Sequence, residues 1–204
     1  MLHEIYEPHY VNVFIGDLEE SKTVLNQRYD YIFFTGSTEV GKIVMNVASQ
    51  HLTPVTLELG GKSPAIIDET IDLKLAAKRI VYGKYVNAGQ TCIAPDYILI
   101  KPQLMEDFIA HMRFWIETFF TKNPIESTDY PKIINIKQHD RLVSMLNDGK
   151  IVYGGAYNKD KIEPTLMIDL KEDSRLLSDE VFGPILPILT YTDEFQMIES
   201  LKQK

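Results

Sequence analysis

The chain has 204 residues, and its 29 acidic residues against 21 basic ones give a formal net charge of −8. This balance disfavours nucleic acids and anionic membrane surfaces as partners, because both present phosphates that require a basic face. A composition of 45% hydrophobic and 25% charged residues is typical of globular domains and excludes disorder as the main state, and no apolar run approaches the ~20 residues of a membrane span.

The first part of the chain alternates short apolar segments with amphipathic ones. Residues 9–15 predict a β-strand, and Asp17 with Glu20 predicts a capping box at the start of a helix that runs to about Arg28. Residues 31–34 are continuously apolar. Such a run is typical of a parallel strand that is buried on both faces.

Ser37 begins a second predicted helix. Its apolar residues recur at the spacing of one buried helix face: Val40, Ile43, Val44, Val47 and Ala48. Pro54 ends this part of the chain, and residues 55–59 predict another strand. The pair Gly60-Gly61 follows and marks the predicted domain boundary, because successive glycines let the chain change direction.

The remainder of the chain continues the alternation of strand and helix. Helices are predicted after the cap Asp72, after Pro102, over residues 137–146 and at the C-terminus; strands are predicted over residues 64–67, 97–100, 151–153, 165–170 and 185–189. Gly89 is predicted to stop the helix that Asp72 begins. The alternation predicts an α/β fold with mostly parallel pairing.

Residues 36–41, Gly-Ser-Thr-Glu-Val-Gly, lie between a predicted strand and a predicted helix. Free N–H groups and the positive helix end favour a phosphate at such a turn. With Lys42 the segment nearly matches the P-loop of nucleotide hydrolases, but Ile43 stands where that motif needs a hydroxyl for Mg²⁺. A phosphate-binding turn, a nucleotide hydrolase and a plain helix cap at Ser37 all stay open on these residues alone.

Two residues are candidates for acid–base and nucleophilic chemistry. Glu58 stands between two leucines, where burial would favour its protonated form and prepare it as a general base; the alternative is that strand alternation points it to solvent. Cys92 is the only cysteine, which excludes an internal disulfide and suits a reducing cytoplasm. Its small polar neighbours favour an accessible thiol, although a lone cysteine can also be inert. The histidines have no metal-ligand spacing, so no metal site is predicted.

Four motifs follow one another along the chain: Phe34-Thr35-Gly36-Ser37, Leu57-Glu58-Leu59-Gly60-Gly61-Lys62-Ser63-Pro64, Gly89-Gln90-Thr91-Cys92 and Glu180-Val181-Phe182-Gly183-Pro184. Together they resemble the NAD(P)-dependent aldehyde dehydrogenases, and most of all the fatty and aromatic aldehyde dehydrogenases. The resemblance implies that residues 1–59 form the C-terminal part of a Rossmann-like cofactor domain. Residues 60–204 would form most of a parallel-sheet catalytic domain that is truncated at its C-terminus.

The resemblance also implies roles for individual residues. Cys92 would be the nucleophile, Glu58 would deprotonate the hydrolytic water, and the N–H of Cys92 would be one oxyanion donor. The cofactor would be NAD or NADP, bound by Gly36, Ser37, Val40 and Gly41 at the diphosphate, by Leu59, and by Glu180 and Phe182 at the nicotinamide ribose and ring.

The same resemblance implies a substrate and a product. A glutamate at position 58 implies release of a free carboxylic acid rather than transfer of the acyl group to coenzyme A. The partner would be a small-molecule aldehyde, and the full-length protein would be a homo-oligomer. Because family members are much longer, the chain resembles an internal piece with weak activity or none. A non-enzymatic remnant of the fold is the second alternative.

Overall fold

The computed structural model describes residues 2–202. The chain divides into two compact units, Met1–Gly60 and Gly61–Lys204. The division falls inside the Gly60-Gly61 pair, as the glycines predict, and one residue after the boundary between residues 59 and 60 that the family resemblance implies. The role of each unit stays a prediction.

The first unit contains a two-stranded parallel sheet. Its elements are α1 (Leu2–Ile5), α2 (Leu18–Leu25), β1 (Ile32–Gly36), α3 (Thr38–Ser49) and β2 (Val55–Leu59). The predicted capping box is confirmed, because the Asp17 side chain accepts from the backbone of α2 and Glu20 bonds back to Asp17 N. The helix ends at Leu25, one turn before the predicted Arg28.

Two predictions for the first unit are wrong. Residues 9–15 form no strand, because their backbone groups pair with neither β1 nor β2, the strands of the described sheet of this unit. Strand β1 is not buried on both faces, since Phe33 is 66% exposed while its neighbours are partly covered. The reason is that α3 is the described helix with the main packing contacts to this small sheet, and it covers one face.

Helix α3 buries a narrower face than its sequence predicts. Gly41, Val44 and Ala48 are buried, whereas Val40 and Ile43, which belong to the predicted apolar stripe, are exposed. Two strands beneath the helix cover only one row of side chains at i, i+3 and i+7. The predicted start is confirmed, because the Ser37 hydroxyl accepts from Val40 N at 3.3 Å.

The second unit holds a five-stranded sheet in the order β3-β4-β7-β6-β5. Its elements are β3 (Pro64–Ile67), α4 (Leu73–Tyr85), β4 (Tyr97–Ile100), α5 (Met105–Phe120), α6 (Ile136–Met145), β5 (Lys150–Tyr153), β6 (Thr165–Ile168), α7 (Arg175–Ser178), β7 (Ile185–Thr190) and α8 (Glu194–Lys202). The predicted strands and helices are all present, and the short α7 was not predicted. All pairs are parallel except β5 with β6, which confirms the predicted fold class.

The core of this unit lies on both faces of its sheet. Ile98 and Ile100 of β4 face the cluster that α4 and α5 complete, while Tyr97 and Leu99 face Met197 of α8. Side chains alternate along a strand, so a strand buried on both faces is apolar throughout. Among residues 2–202, no helix combines the length and the apolar character needed to cross a bilayer.

Candidate active site

The carboxyl ends of β1 and β2 bring together the residues predicted to bind the cofactor diphosphate. Gly36 ends β1 and pairs with Leu59, the last residue of β2. Gly41 lies against Leu59, since a Cβ on Gly41 would come 2.6 Å from Leu59 Cδ2. The first turn of α3 begins between them at Ser37, and its leading N–H groups lack intrahelical partners, as in any helix. This arrangement has the chemistry that a diphosphate requires.

Glu58 lies in the first unit, opposite Thr35 in the pairing of β1 with β2. Its side chain is exposed. The burial expected between Leu57 and Leu59 is therefore wrong, and the alternative, in which strand alternation points Glu58 to solvent, describes the structure. The physical reason is that α3 covers only one face of a two-stranded sheet.

The segment that carries Cys92 begins with an unusual backbone. Helix α4 ends at Tyr85, four residues before Gly89, the predicted stop. Asn87, Ala88 and Gly89 then follow in the left-handed region, with φ values of 53°, 51° and 74°. Residues other than glycine adopt this region only at a steric cost, so surrounding contacts must hold it.

Gln90 supplies several of those contacts. Its Nε2 donates to Asn87 O at 3.1 Å and to Lys132 O at 3.0 Å, and its Oε1 accepts from Ile134 N at 2.8 Å. One amide therefore fixes the turn and ties it to residues 132–134. The motif Gly-Gln-Thr-Cys contains this glutamine, but its side-chain role was not predicted.

Cys92 follows this turn and is exposed, which confirms the predicted accessible thiol. We expect iodoacetamide to alkylate the native chain at a rate close to that of the urea-denatured chain. Because Cys92 is the only cysteine, the measurement needs no site assignment, and a Cys92→Ser variant supplies the background. Protection of the native thiol against alkylation would contradict this prediction.

The motif of residues 180–184 lies against the Cys92 segment within the second unit. A Cβ on Gly89 would come 2.2 Å from Gly183 O, so the two backbones approach at a distance that only glycine permits. Phe182 is 41% exposed and has φ +44°. The structure thus places Gly183, the residue after Phe182, against the turn that precedes the thiol.

Glu180 is partly buried among charged groups. Burial raises the pKa of its carboxyl above the ordinary value, and the Asp96 carboxylate acts in the same direction. The N–H of Gly61 donates to Glu180 and opposes this change, as do the positive charges of Lys84 and Arg141. A carboxylate that is partly shielded from solvent and can still ionise is suited to accept a hydrogen bond from a sugar hydroxyl.

Lys84, on the last turn of α4, is 1% exposed. Burial of its ammonium lowers its pKa to about 8; Lys62 lowers it further, while the carboxylates of Asp96 and Glu180 oppose the change. Sequence reasoning missed this group of charges, in which Lys62 Nζ and Asp96 Oδ2 form an ion pair at 2.5 Å. Lysine at a helix end normally signals a solvated position, so no local pattern revealed it.

The buried lysine makes stability depend on pH. Its pKa is about 8 in the folded chain against 10.5 for the ordinary group, so between these values the unfolded chain binds more protons. We therefore expect the free energy of unfolding to rise between about pH 8 and about pH 10, by up to about 1.4 kcal/mol per pH unit. Above this window, Tyr85 and Tyr130 oppose the rise, because burial raises the pKa of both phenols above the ordinary value of 10.0. Urea unfolding at several pH values measures this slope.

Lys84→Met should remove the rise, whereas Lys78→Met, at an exposed lysine of the same helix, should retain it. If the parent chain and Lys84→Met showed the same pH dependence, another group would be responsible.

Comparison with known proteins decides which family the chain represents. The profile of the aldehyde dehydrogenase family matches residues 4–203. The chain belongs to this family. The resemblance inferred from the four sequence motifs is thereby confirmed, and the comparisons give no support to the nucleotide-hydrolase alternative.

Among curated aldehyde dehydrogenases, the chain is similar to 4,4'-diaponeurosporen-aldehyde dehydrogenase of Staphylococcus aureus (strain NCTC 8325 / PS 47), with 45% identity over 208 residues that cover 100% of this chain and 45% of the relative. Aldehyde dehydrogenase family 3 member A2 of Pongo abelii is 44% identical over 191 residues, which cover 93% of the chain and 39% of the relative. The chain therefore spans less than half the length of these enzymes.

Solved aldehyde dehydrogenase structures share the fold. The substrate-bound state of Staphylococcus aureus AldH superposes with a TM-score of 0.93 at 45% identity, covering 98% of this chain and 45% of that one. An aldehyde dehydrogenase of Mycobacterium tuberculosis complexed with NAD+ has a TM-score of 0.79 at 30% identity, covering 90% of this chain and 41% of that one. This likeness confirms the predicted aldehyde dehydrogenase-like α/β fold.

Proposed function

We propose that this chain carries the thiol, the general base and part of the cofactor site of an enzyme that oxidises an aldehyde to a carboxylic acid with NAD or NADP. The observation that carries the proposal is the exposed Cys92 just after a turn whose Gly89 lies against Gly183, in a chain of the aldehyde dehydrogenase family. The related structures in complex with NAD+ and NADP support the choice of cofactor.

Cys92 is proposed to act as the nucleophile. Its thiolate adds to the aldehyde carbonyl and forms a thiohemiacetal, while the Cys92 N–H donates to the developing oxyanion. When bound at the residues named below, NAD or NADP would supply the acceptor for the hydride of this adduct, and Cys92 would then hold the acyl group on its sulfur as a thioester. Sulfur suits both steps, because a thiolate adds readily to a carbonyl and leaves readily from an acyl group.

Glu58 is proposed to complete the reaction. Its carboxylate takes a proton from a water molecule, the resulting hydroxide attacks the thioester, and the acid leaves as Cys92 regains its thiolate. The net reaction consumes one aldehyde, one oxidised cofactor and one water. A reducing compartment such as the cytoplasm would keep the Cys92 thiol free, which agrees with the absence of a second cysteine from the sequence.

Seven residues are proposed to hold the cofactor. Gly36, Ser37, Val40, Gly41 and Leu59 would contact the diphosphate and its surroundings at the start of α3. Glu180 would accept hydrogen bonds from the nicotinamide ribose, and the exposed Phe182 ring would pack on the nicotinamide. The chemistry supports this assignment, since a helix N-terminus attracts phosphate and a carboxylate accepts from hydroxyl groups.

The test compares the chain with a full-length chimera, in which these 204 residues replace the matching region of the S. aureus relative. We expect the chimera to reduce NAD or NADP in the presence of aliphatic or aromatic aldehydes, and Cys92→Ser to abolish this activity. The 204-residue chain alone should show little turnover and should self-associate in light scattering, because the first unit exposes apolar side chains such as Phe14, Ile15 and Phe33.

The outcomes separate the alternatives. A correctly folded chimera without cofactor reduction would favour a non-enzymatic remnant. Turnover of the isolated chain at the rate of the chimera, or a clean monomer at every concentration, would contradict the expectation for the chain alone.

A further inference from the structure

The backbone of residues 179–181 is held by charged side chains from distant parts of the second unit. Val181 N donates to Asp96 Oδ1 at 2.7 Å, and Val181 O accepts from Arg141 Nη2 at 2.6 Å. Glu180 O accepts from Arg141 Nη1 at 3.4 Å, and Asp179 O accepts from Lys62 Nζ at 3.0 Å. The carbonyl oxygens of residues 179, 180 and 181 therefore accept from cations, and the N–H of Val181 donates to an anion.

This arrangement differs from the usual way in which a loop satisfies its backbone. Such groups normally bond to other backbone groups or to water, whereas Asp96 is 3% exposed and its partner Val181 is fully buried. Bonds to charged groups are shorter and stronger than neutral ones. They act on the residues just before Phe182, which has a left-handed backbone that other contacts must stabilise.

Asp96 also joins this segment to the one that carries the thiol. It lies four residues after Cys92, its N–H donates to Ser63 O at 2.8 Å, and its second carboxylate oxygen pairs with Lys62. A single buried residue thus bonds to residues 62–63 and to Val181 while it continues the chain from Cys92. The positions of these segments relative to one another depend on it.

We propose that Lys62, Asp96 and Arg141 are positioning residues that form a clamp on residues 179–181, just before Phe182. By fixing the Val181 peptide groups, the clamp directs the Glu180 carboxylate and the Phe182 ring toward the cofactor and keeps them in register with Cys92. This role rests on the proposed function, because Glu180 and Phe182 are assigned to the cofactor there. The clamp also predicts that the backbone of these residues is ordered, and this order can be measured without cofactor.

Asp96→Asn tests the clamp in the 204-residue chain. An amide has one acceptor oxygen where the carboxylate has two, so Val181 N or Lys62 Nζ must face an NH2 donor, and a bond that remains to Val181 N loses its charge assistance. We expect hydrogen exchange at the Val181 amide to accelerate about ten- to a hundredfold, as for loss of a bond to a charged group. The amides of β6 and β7 should keep the parent rates.

Two further variants make the result specific. Asp107→Asn removes an exposed carboxylate in the first turn of α5 and should leave Val181 unchanged. Arg141→Lys retains the charge but lacks the planar fork that reaches two carbonyls, so it should accelerate exchange at residues 181–182 even if Asp96→Asn fails to fold. Unchanged exchange at Val181 in the folded variants, or equal acceleration across the whole sheet, would overturn the proposal.

The chimera also allows a kinetic measurement, the KM for the cofactor, which should stay unchanged if the clamp only stabilises the fold. Asp96→Asn should raise the KM for the cofactor about tenfold, the equivalent of losing one good hydrogen bond, while iodoacetamide alkylates Cys92 at the parent rate without cofactor. An unchanged KM would overturn the positioning role. If the parent chimera reduces no cofactor, the proposed function fails, and the exchange measurement still decides whether the clamp exists.

Discussion

Glu58→Gln in the chimera should leave the first half of the reaction in place and stall the second. An amide cannot take a proton from water, so the thioester on Cys92 would persist after the cofactor has been reduced. We expect a burst of reduced cofactor close to one equivalent per active site, followed by steady turnover lowered ~10²- to 10⁴-fold, the usual contribution of a general base. Rapid mixing with an absorbance readout measures both phases.

The control is Glu19→Gln, which changes an exposed carboxylate on α2 of the same unit and should retain both the burst and the steady rate. Loss of the burst together with the steady rate in a folded Glu58→Gln protein would assign Glu58 to an earlier step. The exposed position of Glu58 means that this substitution creates no buried defect, so the folding control is expected to pass.

Gly89→Ala should be the most destabilising single-methyl change near the site. The added Cβ would lie 2.2 Å from Gly183 O and 3.1 Å from Lys84 O, at a residue with φ +74°. Overpacking against rigid backbone and an unfavourable left-handed conformation together cost about 2–4 kcal/mol. Urea unfolding of the 204-residue chain measures this loss.

Two other glycines provide matched controls for this substitution. Gly61→Ala adds a methyl group with no atom within 4 Å and should change stability little. Gly83→Ala lies inside α4 with its nearest contact at 3.8 Å, and it should stabilise the chain by about 1 kcal/mol through helix propensity. Equal stability of the three variants would show that residues 87–89 and 183 are less closely packed than the structure indicates.

The second unit follows its sequence closely because its signals are local. Caps such as Asp72, whose side chain accepts from Leu75 N at 3.1 Å, and continuous apolar strands such as β4 specify an element without knowledge of the rest of the chain. The sequence predicted each strand of this unit for that reason. The motif around Cys92 likewise predicted an accessible thiol from its small polar neighbours.

The incorrect predictions of pairing and burial depend on contacts with other segments of the chain, which a local sequence pattern does not reveal. Residues 9–15 have the apolar character of a strand but no described strand beside them, and the exposure of Val40, Ile43 and Glu58 follows from a sheet of only two strands. The clamp was missed for a related reason. Asp96 bonds to Lys62, 34 residues away, and to Val181, 85 residues away. The local sequence therefore does not distinguish Asp96 from an aspartate on the surface.

The most direct test of the account is to identify the covalent intermediate on Cys92. The Glu58→Gln chimera, incubated with an aldehyde and oxidised cofactor and then quenched in acid, should carry the acyl group of that aldehyde on the peptide that contains Cys92, as measured by mass spectrometry. Omission of the cofactor should leave the thiol free, because the thiohemiacetal reverses. Reduction of cofactor without an acyl group on Cys92, or with equal rate in Cys92→Ser, would contradict the central claim.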